Sequence, residues 1–275
     1  MKEFYLFEAG STKTKLAISK AERIEIINLP GFNPNRINNE FKTSLAHAFK
    51  PIANSSVYFY GSGLGNLGNK NIVREMFSKW DLSHLEVNDD IVGAARALLR
   101  REPGILGIMG TGGLGAYYNG ESVIERRGGY GYLIDDLGGG YELGKRITTA
   151  WLNNDLNKEV DELVQDHFNL CKEDFTGRYY KEKSLEVIAS LAERISSYGN
   201  EPSVNLILCE YFHEFVKKDL KPLCAKHNFD TISLIGSLAH GYQNLISKEL
   251  ENQKLKCTKL LQYPIDELVN FHRGF

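Results

Sequence analysis

The chain has 275 residues, and 33 Lys and Arg against 35 Asp and Glu leave a formal net charge of −2. That balance provides neither the basic surface that nucleic acid demands nor an acidic solvating tail. With 42% apolar and 25% charged residues, the composition is that of an ordinary globular protein, long enough for one large domain or two of about 100–150 residues. Glycine stands out: 26 against only 7 Pro, roughly 9% where about 7% is typical.

Met1-Lys2-Glu3 and the short apolar run after it lack the h-region and cleavage site of a signal peptide. The least polar stretch, Gly104 to Tyr118, is too short and too broken by glycine to span a bilayer, which needs about 20 apolar residues. Cys171, Cys209, Cys224 and Cys257 form no Cys-x-x-Cys and have no His at ligand spacing, so free thiols in a reducing compartment are expected. The expectation is a cytoplasmic protein.

In chain order, Phe4 to Phe7 reads as a strand, Glu8-Ala9-Gly10-Ser11-Thr12 as a turn, and Lys15 to Ser19 and Arg23 to Asn28 as further strands. A Gly/Asn/Pro loop over Pro30 to Asn35 leads to a helix over Arg36 to Phe49, with Ile37, Phe41, Leu45 and Ala48 at helical spacing. Val57 to Tyr60 is a short strand ending in Gly61-Ser62-Gly63. A helix over Ile72 to Lys79, a strand over Leu85 to Val87 and a helix over Ile91 to Arg101 follow. After Pro103-Gly104 the pattern restarts: strand Ile105 to Met109, turn Gly110-Thr111-Gly112-Gly113, strands Gly115 to Tyr118 and Glu121 to Glu125. Strand, glycine turn, strand, strand thus appears twice, about 100 residues apart, which predicts two related lobes. Gly138 to His227 is mostly helical, with periodic runs at Tyr141 to Leu152, Leu185 to Ile195 and Val204 to Leu220. Strand Thr231 to Ile235, turn Gly236-Ser237, helix Leu238 to Leu250, strand Lys259 to Gln262 and helix Ile265 to Phe271 complete the chain. The fold class expected is α/β, two lobes each with a mixed sheet flanked by helices.

The glycines gather where chemistry could use them. In Glu8-Ala9-Gly10-Ser11-Thr12-Lys13-Thr14, an acid closing a strand can hold a divalent cation. Gly10 would let backbone N–H groups approach an anion, and the hydroxyls can bond phosphate oxygens; a plain hairpin with a polar turn is the competing reading. Gly110-Thr111-Gly112-Gly113 repeats the arrangement with one hydroxyl. From Gly128 to Gly140 six glycines and two carboxylates occupy thirteen positions. Gly138 to Gly140 precede a helix whose N-terminus could face an anion; capping and dipole complementarity are the alternatives for Asp135 and Asp136. Of the adjacent Asp89 and Asp90, before a helix, one could be a general base and the other an N-cap. Gly236-Ser237 is either a ligand-facing turn or a connector.

Taken together, these strings resemble the BadF/BadG-type ATPase and N-acetylglucosamine kinase family, within the sugar kinase/heat-shock ATPase/actin superfamily. The matching segments are Glu8 to Thr14, Gly31-Phe32-Asn33-Pro34-Asn35, Tyr58 to Gly63, Asp90-Ile91-Val92-Gly93-Ala94-Ala95-Arg96-Ala97, Glu102 to Ile105, Gly110-Thr111-Gly112, Tyr141 to Lys145 and Gly236-Ser237-Leu238-Ala239, all in family order. The resemblance implies two actin-like (ribonuclease H-like) lobes with a cleft between them, residues 1–103 completed by the helix 264–275, and residues 104–263. It implies ATP-dependent phosphorylation of an amino sugar, most simply N-acetylglucosamine to its 6-phosphate, with Mg2+. Asp90 matches the catalytic base. Gly10, Ser11, Thr12, Lys13, Thr111, Gly112, Gly236 and Ser237 match ATP-binding positions; Asn35, Ser62, Gly63, Asp90, Gly129 and Asp136 match sugar-binding positions; and Glu8 matches the metal-binding acid. The partners implied are the sugar and the nucleotide, with neither nucleic acid nor membrane, and a homodimer as the candidate assembly. Three positions depart from the family pattern: Glu8 stands for Asp, Gly113-Leu114 for Ser-Asn, and Leu137 for Glu. A non-catalytic sugar or nucleotide sensor of the same fold is the alternative these departures raise. The family's iron–sulfur activators are disfavoured, because the first cysteine, Cys171, comes too late in the chain.

Overall fold

The computed structural model describes residues 3–21, 23–34, 39–175, 177 and 185–275. It divides into two compact units, one comprising Met1–Arg101 and Pro264–Phe275, the other Glu102–Tyr263.

Unit 1 opens with an antiparallel meander, β1 (Phe4–Ala9), β2 (Lys13–Lys20) and β3 (Arg23–Pro30). After α1 (Asn39–Ala48), β4 (Ser55–Gly61) adds parallel to β1. After α2 (Leu67–Phe77), β5 (Leu82–Asp89) adds parallel to β4, giving the order β3-β2-β1-β4-β5. Parallel neighbours require such helical crossovers. The core is aromatic: Phe7, Phe32, Phe41, Phe49, Phe59 and Phe77 are buried, with Phe49 and Phe77 meeting edge to face at 5.2 Å. Helix α2 starts five residues before the expected Ile72, because the Asn66 side chain caps it by accepting the Asn69 N–H at 2.8 Å. Helix α3 (Asp90–Leu99) follows β5 directly and lies against Tyr60, where Gly93 permits the approach: a Cβ there would stand 3.0 Å from the ring.

Unit 2 repeats the plan. β6 (Gly104–Met109), β7 (Gly113–Tyr118) and β8 (Val123–Gly128) form the meander, and β9 (Thr231–Ile235) and β10 (Lys256–Leu261) extend it in parallel, in the order β10-β9-β6-β7-β8. Position for position this is the strand order of unit 1. Strand β8 begins later than the expected Glu121, because the Asn119 side chain accepts the N–H groups of Glu121 and Ser122 and holds them in a turn with Gly120 at φ +98°.

Among the described residues the helices of unit 2 include α4 (Gly140–Leu152), α5 (Lys158–Phe168), α6 (Leu185–Arg194), α7 (Pro202–Phe215), α8 (Lys221–His227), α9 (Ser237–Gly241) and α10 (Gln243–Asn252). Asn157 caps α5, which buries Val160 and Val164 four residues apart. The expected single helix Leu238 to Leu250 is interrupted at Tyr242, which leaves helical geometry at φ −116°, ψ 25°. Helices α7 and α8 run on through one π turn, Val216–Leu220, in which the Lys221 N–H reaches back five residues to Val216 O. Pro222 explains the turn: it has no N–H for the carbonyl four residues earlier, Lys218 O, and its ring crowds that carbonyl. Trp151, Tyr211, Phe212, Phe215 and Leu137 lie in the core of this unit.

The last helix, α11 (Ile265–Arg273), returns to unit 1 and packs on α3 and β2. Its His272 stacks on Tyr58 at 3.6 Å and bonds the Tyr60 hydroxyl through Nε2 at 2.8 Å. Tyr60 also accepts a 2.6 Å hydrogen bond from Arg96, which holds Glu86 at the same distance. Among the described residues no helix is long and apolar enough to cross a membrane.

Candidate active site

Three parallel strands of unit 1 end at one level. The register aligns Ala9 with Gly61 and Gly61 with Asp89, so the next residues, Gly10, Ser62 and Asp90, emerge side by side at the carboxyl edge of the sheet. That edge is where open α/β sheets bind ligands. Asp89 and Asp90 take different roles. The Asp89 side chain caps α3 by accepting the Asp90 N–H at 3.1 Å, whereas the Asp90 carboxyl lies half-buried with the Ser62 hydroxyl bonded to it. Burial first, and then the Asp89 charge, push the Asp90 carboxyl well above the usual carboxylate range, against the pull of the Ile91 N–H and of Ser62.

Glu8 sits one position before the strand end, paired across the sheet with Lys15 and Tyr60. Burial raises its carboxyl to about 7, with Lys15 and Lys13 opposing, and its Oε2 is buried without a hydrogen-bond partner. In the β1–β2 turn the Gly10 N–H bonds Lys13 O at 3.0 Å, and Ser11, Thr12 and Lys13 are exposed. The Gly31 segment braces this turn. A Cβ on Gly31 would stand 2.0 Å from Ser11 O, and the Phe32 N–H bonds Gly10 O at 2.9 Å. Gly63, at φ +76°, lies against Pro34. Asn35 falls outside the described residues.

In unit 2 the equivalent edge carries Gly110-Thr111-Gly112 after β6 and Gly236-Ser237 after β9, with Ile108 level with Ile235. Gly236, at φ +130°, crosses so close to β6 that a Cβ would stand 2.1 Å from Met109 O; Thr111 and Ser237 are exposed. Asp136 lies against Gly112, its carboxylate oxygens 3.0 and 3.1 Å from where a Cβ would be, and burial raises its pKa. Gly129 belongs to the loop before it, at φ +69° with Leu114 beneath.

One expectation is corrected. The first two N–H groups of α4 are not free for an anion, because the Gly140 N–H bonds Gly110 O at 2.8 Å and the Tyr141 N–H bonds Thr111 O at 3.1 Å. Gly139 and Gly113 serve chain-to-chain packing instead. A Cβ on Gly139 would stand 2.5 Å from Gly112, and one on Gly113 would stand 2.2 Å from Leu137 O. Leu137 is itself a core side chain at 6% exposure, so its departure from the family's Glu belongs to packing. The brace of Gly31 and Pro34 under the unit 1 site was not anticipated; the Gly-Phe-Asn-Pro string was its only sequence signal.

No protein-family model matches the chain. Over 218 residues, covering 72% of this chain and 71% of the relative, it is 27% identical to the N-acetylmuramic acid/N-acetylglucosamine kinase of Clostridium acetobutylicum. Its structure matches a candidate N-acetylglucosamine kinase from Porphyromonas gingivalis with TM-score 0.85 and 24% identity, covering 98% and 99% of the two chains. A Streptomyces griseus glucokinase, solved with glucose and AMPPNP, matches with TM-score 0.56 and 14% identity over 99% and 98%. The chain has the actin-like fold of the sugar kinases, and its sequence is similar to that of the clostridial kinase.

Proposed function

We propose that this protein transfers the γ-phosphoryl group of ATP to a hydroxyl of an amino sugar, with N-acetylglucosamine giving its 6-phosphate as the simplest case. The observation that carries the reading is the row Gly10, Ser62, Asp90 at one strand edge, with Asp90 the carboxyl left over once Asp89 caps the helix. The sugar oxygen attacks the γ-phosphorus, the bond from that phosphorus to the β–γ bridging oxygen breaks, ADP departs, and the hydroxyl proton passes to Asp90. A carboxyl held above its usual range is better matched to take that proton near neutral pH than an ordinary one. Ser62 orients Asp90. Gly10 to Lys13, with Thr111 and Gly112, address the phosphates; Gly236 and Ser237 address the adenosine; Asn35, Ser62, Gly63, Gly129 and Asp136 address the sugar.

The residues present fit a Mg2+ ion that keeps most of its ligands from phosphate and water. Among the described residues no group of three or more His, Cys, Asp or Glu could hold a metal unaided, but Glu8 offers one buried, unpartnered carboxylate oxygen. When bound, such an ion neutralises charge on the phosphates. Cytoplasmic location and a homodimer belong to the same proposal.

The test is an ATP-consumption assay across N-acetylglucosamine, N-acetylmuramic acid, glucosamine and glucose, with Asp90→Asn as control. Turnover with an amino sugar that falls by about 10²- to 10⁴-fold in the variant, with the KM for ATP retained, is expected. ATP binding without turnover of any sugar overturns the proposal in favour of a sensor.

A further inference from the structure

Asp219 is a buried acid for which the chemistry above has no use. It is 1% exposed, its Oδ2 has no hydrogen-bond partner, and burial together with Asp135 raises it to about 6, against Lys218 and Arg127. An unpartnered buried carboxyl is destabilising, and such costs persist where a position is needed.

Its surroundings show what is positioned. Asp219 lies in the π turn that Pro222 imposes between α7 and α8, and that turn touches both ends of the loop from Arg127 to Asp136. At the start, the Lys218 carbonyl, deprived of its helical donor, accepts the Arg127 Nε–H at 3.0 Å. Beside it, the Asp219 carboxylate stands 3.3 Å from where a Cβ of Gly128 would be, and Asp219 O stands 2.8 Å from that of Gly115. At the end, Lys218 Nζ pairs with Asp135 at 2.9 Å. The loop closes on itself through Tyr130 N–H to Asp135 O (2.8 Å) and Asp135 N–H to Gly131 O (3.0 Å). Its middle buries little, since Tyr130, Tyr132, Leu133 and Ile134 are all exposed, Leu133 by 83%. A loop so exposed, with Gly128, Gly129 and Gly131 all at positive φ, takes its shape from its ends.

We propose that the π turn Val216–Leu220 is a clasp for this loop, and that Lys218 and Asp219 are positioning residues for acceptor binding, setting the backbone at Gly129 and the carboxylate at Asp136. The proposal rests on the sugar-kinase reading for what the loop binds, but not for the clasp itself.

The test uses Asp219→Ala, which removes the side chain; Asp219→Asn, which keeps its shape; and Lys218→Met, which keeps an apolar stem and loses the ion pair at an exposed position. Two readouts are taken: amide hydrogen exchange at Tyr130 and Asp135, and the KM for sugar and for ATP. Exchange at both amides should quicken in Asp219→Ala and Lys218→Met. The sugar KM in Asp219→Ala should rise about tenfold, with the ATP KM within about twofold and Asp219→Asn near wild type. Unchanged exchange in a folded Asp219→Ala overturns the clasp; should that variant not fold, unchanged exchange in Lys218→Met does so. Faster exchange with an unchanged sugar KM overturns the acceptor role. A wild type that turns over no sugar refutes the kinase reading, and the exchange data then decide the clasp alone.

Discussion

Lowering the pH should loosen unit 1 through His272. Burial holds this imidazole neutral, with Arg96 and His84 reinforcing and Glu86 opposing, so that its pKa falls from 6.5 to about 4. The hydrogen bonds are compatible with this: the Tyr60 hydroxyl accepts from Arg96 and has its own proton to donate to His272 Nε2, which a neutral imidazole can accept. In the unfolded chain the residue titrates near 6.5, so below that pH the unfolded state binds a proton that the folded state refuses. Stability therefore falls as the pH drops from about 6.5 towards 4, by about 2 kcal/mol at pH 5 and up to about 3 kcal/mol in the limit. His272→Gln removes the titration while keeping a polar group in reach of Tyr60. The two tryptophans give the assay, because Trp80 packs on Phe49 and Phe77 in unit 1 and Trp151 lies in the unit 2 core. In a Trp151→Phe background, urea unfolding followed by fluorescence reports unit 1. Between about pH 7.5 and pH 5 the His272 protein should lose about 2 kcal/mol more than His272→Gln. Equal losses would refute both the buried neutral imidazole and the donor assignment.

Leu137→Glu installs the residue expected from the resemblance but places a carboxylate in the unit 2 core. It should cost about 3 kcal/mol or more, seen as a lowered urea midpoint in Trp151 fluorescence; an unchanged midpoint would show that the position is open to solvent. Gly236→Ala must fit a methyl 2.1 Å from Met109 O at φ +130° and should cost about 3 kcal/mol or leave unit 2 unfolded. Gly110→Ala meets nothing within 4 Å and should stay within about 0.5 kcal/mol of wild type by the same measurement.

The duplicated architecture was legible because strand, glycine turn, strand, strand is a local pattern, and the β9 boundaries, Thr231–Ile235, coincide with their apolar run. Asp90 was singled out by the string after it, whereas the capping role of Asp89 is visible only in the geometry. Less visible were features whose cause lies elsewhere in the chain. Periodicity carried Val204 to Leu220 as one helix, while the widening at Val216 is set by Pro222, beyond the end of that run. The glycines were read as space cleared for ligand. Several of them, Gly113, Gly139 and Gly236, are also space cleared for another stretch of backbone, which a linear pattern does not distinguish. Leu137 looked like a lost polar contact because its burial depends on helices contributed up to about 100 residues later.

Helix α11 bears on how the chain is made. Unit 1 is begun first, yet the helix that covers Tyr58 and Tyr60 is synthesised only after all 162 residues of Glu102–Tyr263. Throughout that interval the sheet face of Tyr60 and Glu86, with Arg96 of α3 beside it, lacks its lid, while unit 2 is contiguous in sequence. Unit 1 therefore cannot reach its finished form as its first hundred residues are made: they wait for a helix encoded beyond the whole of unit 2.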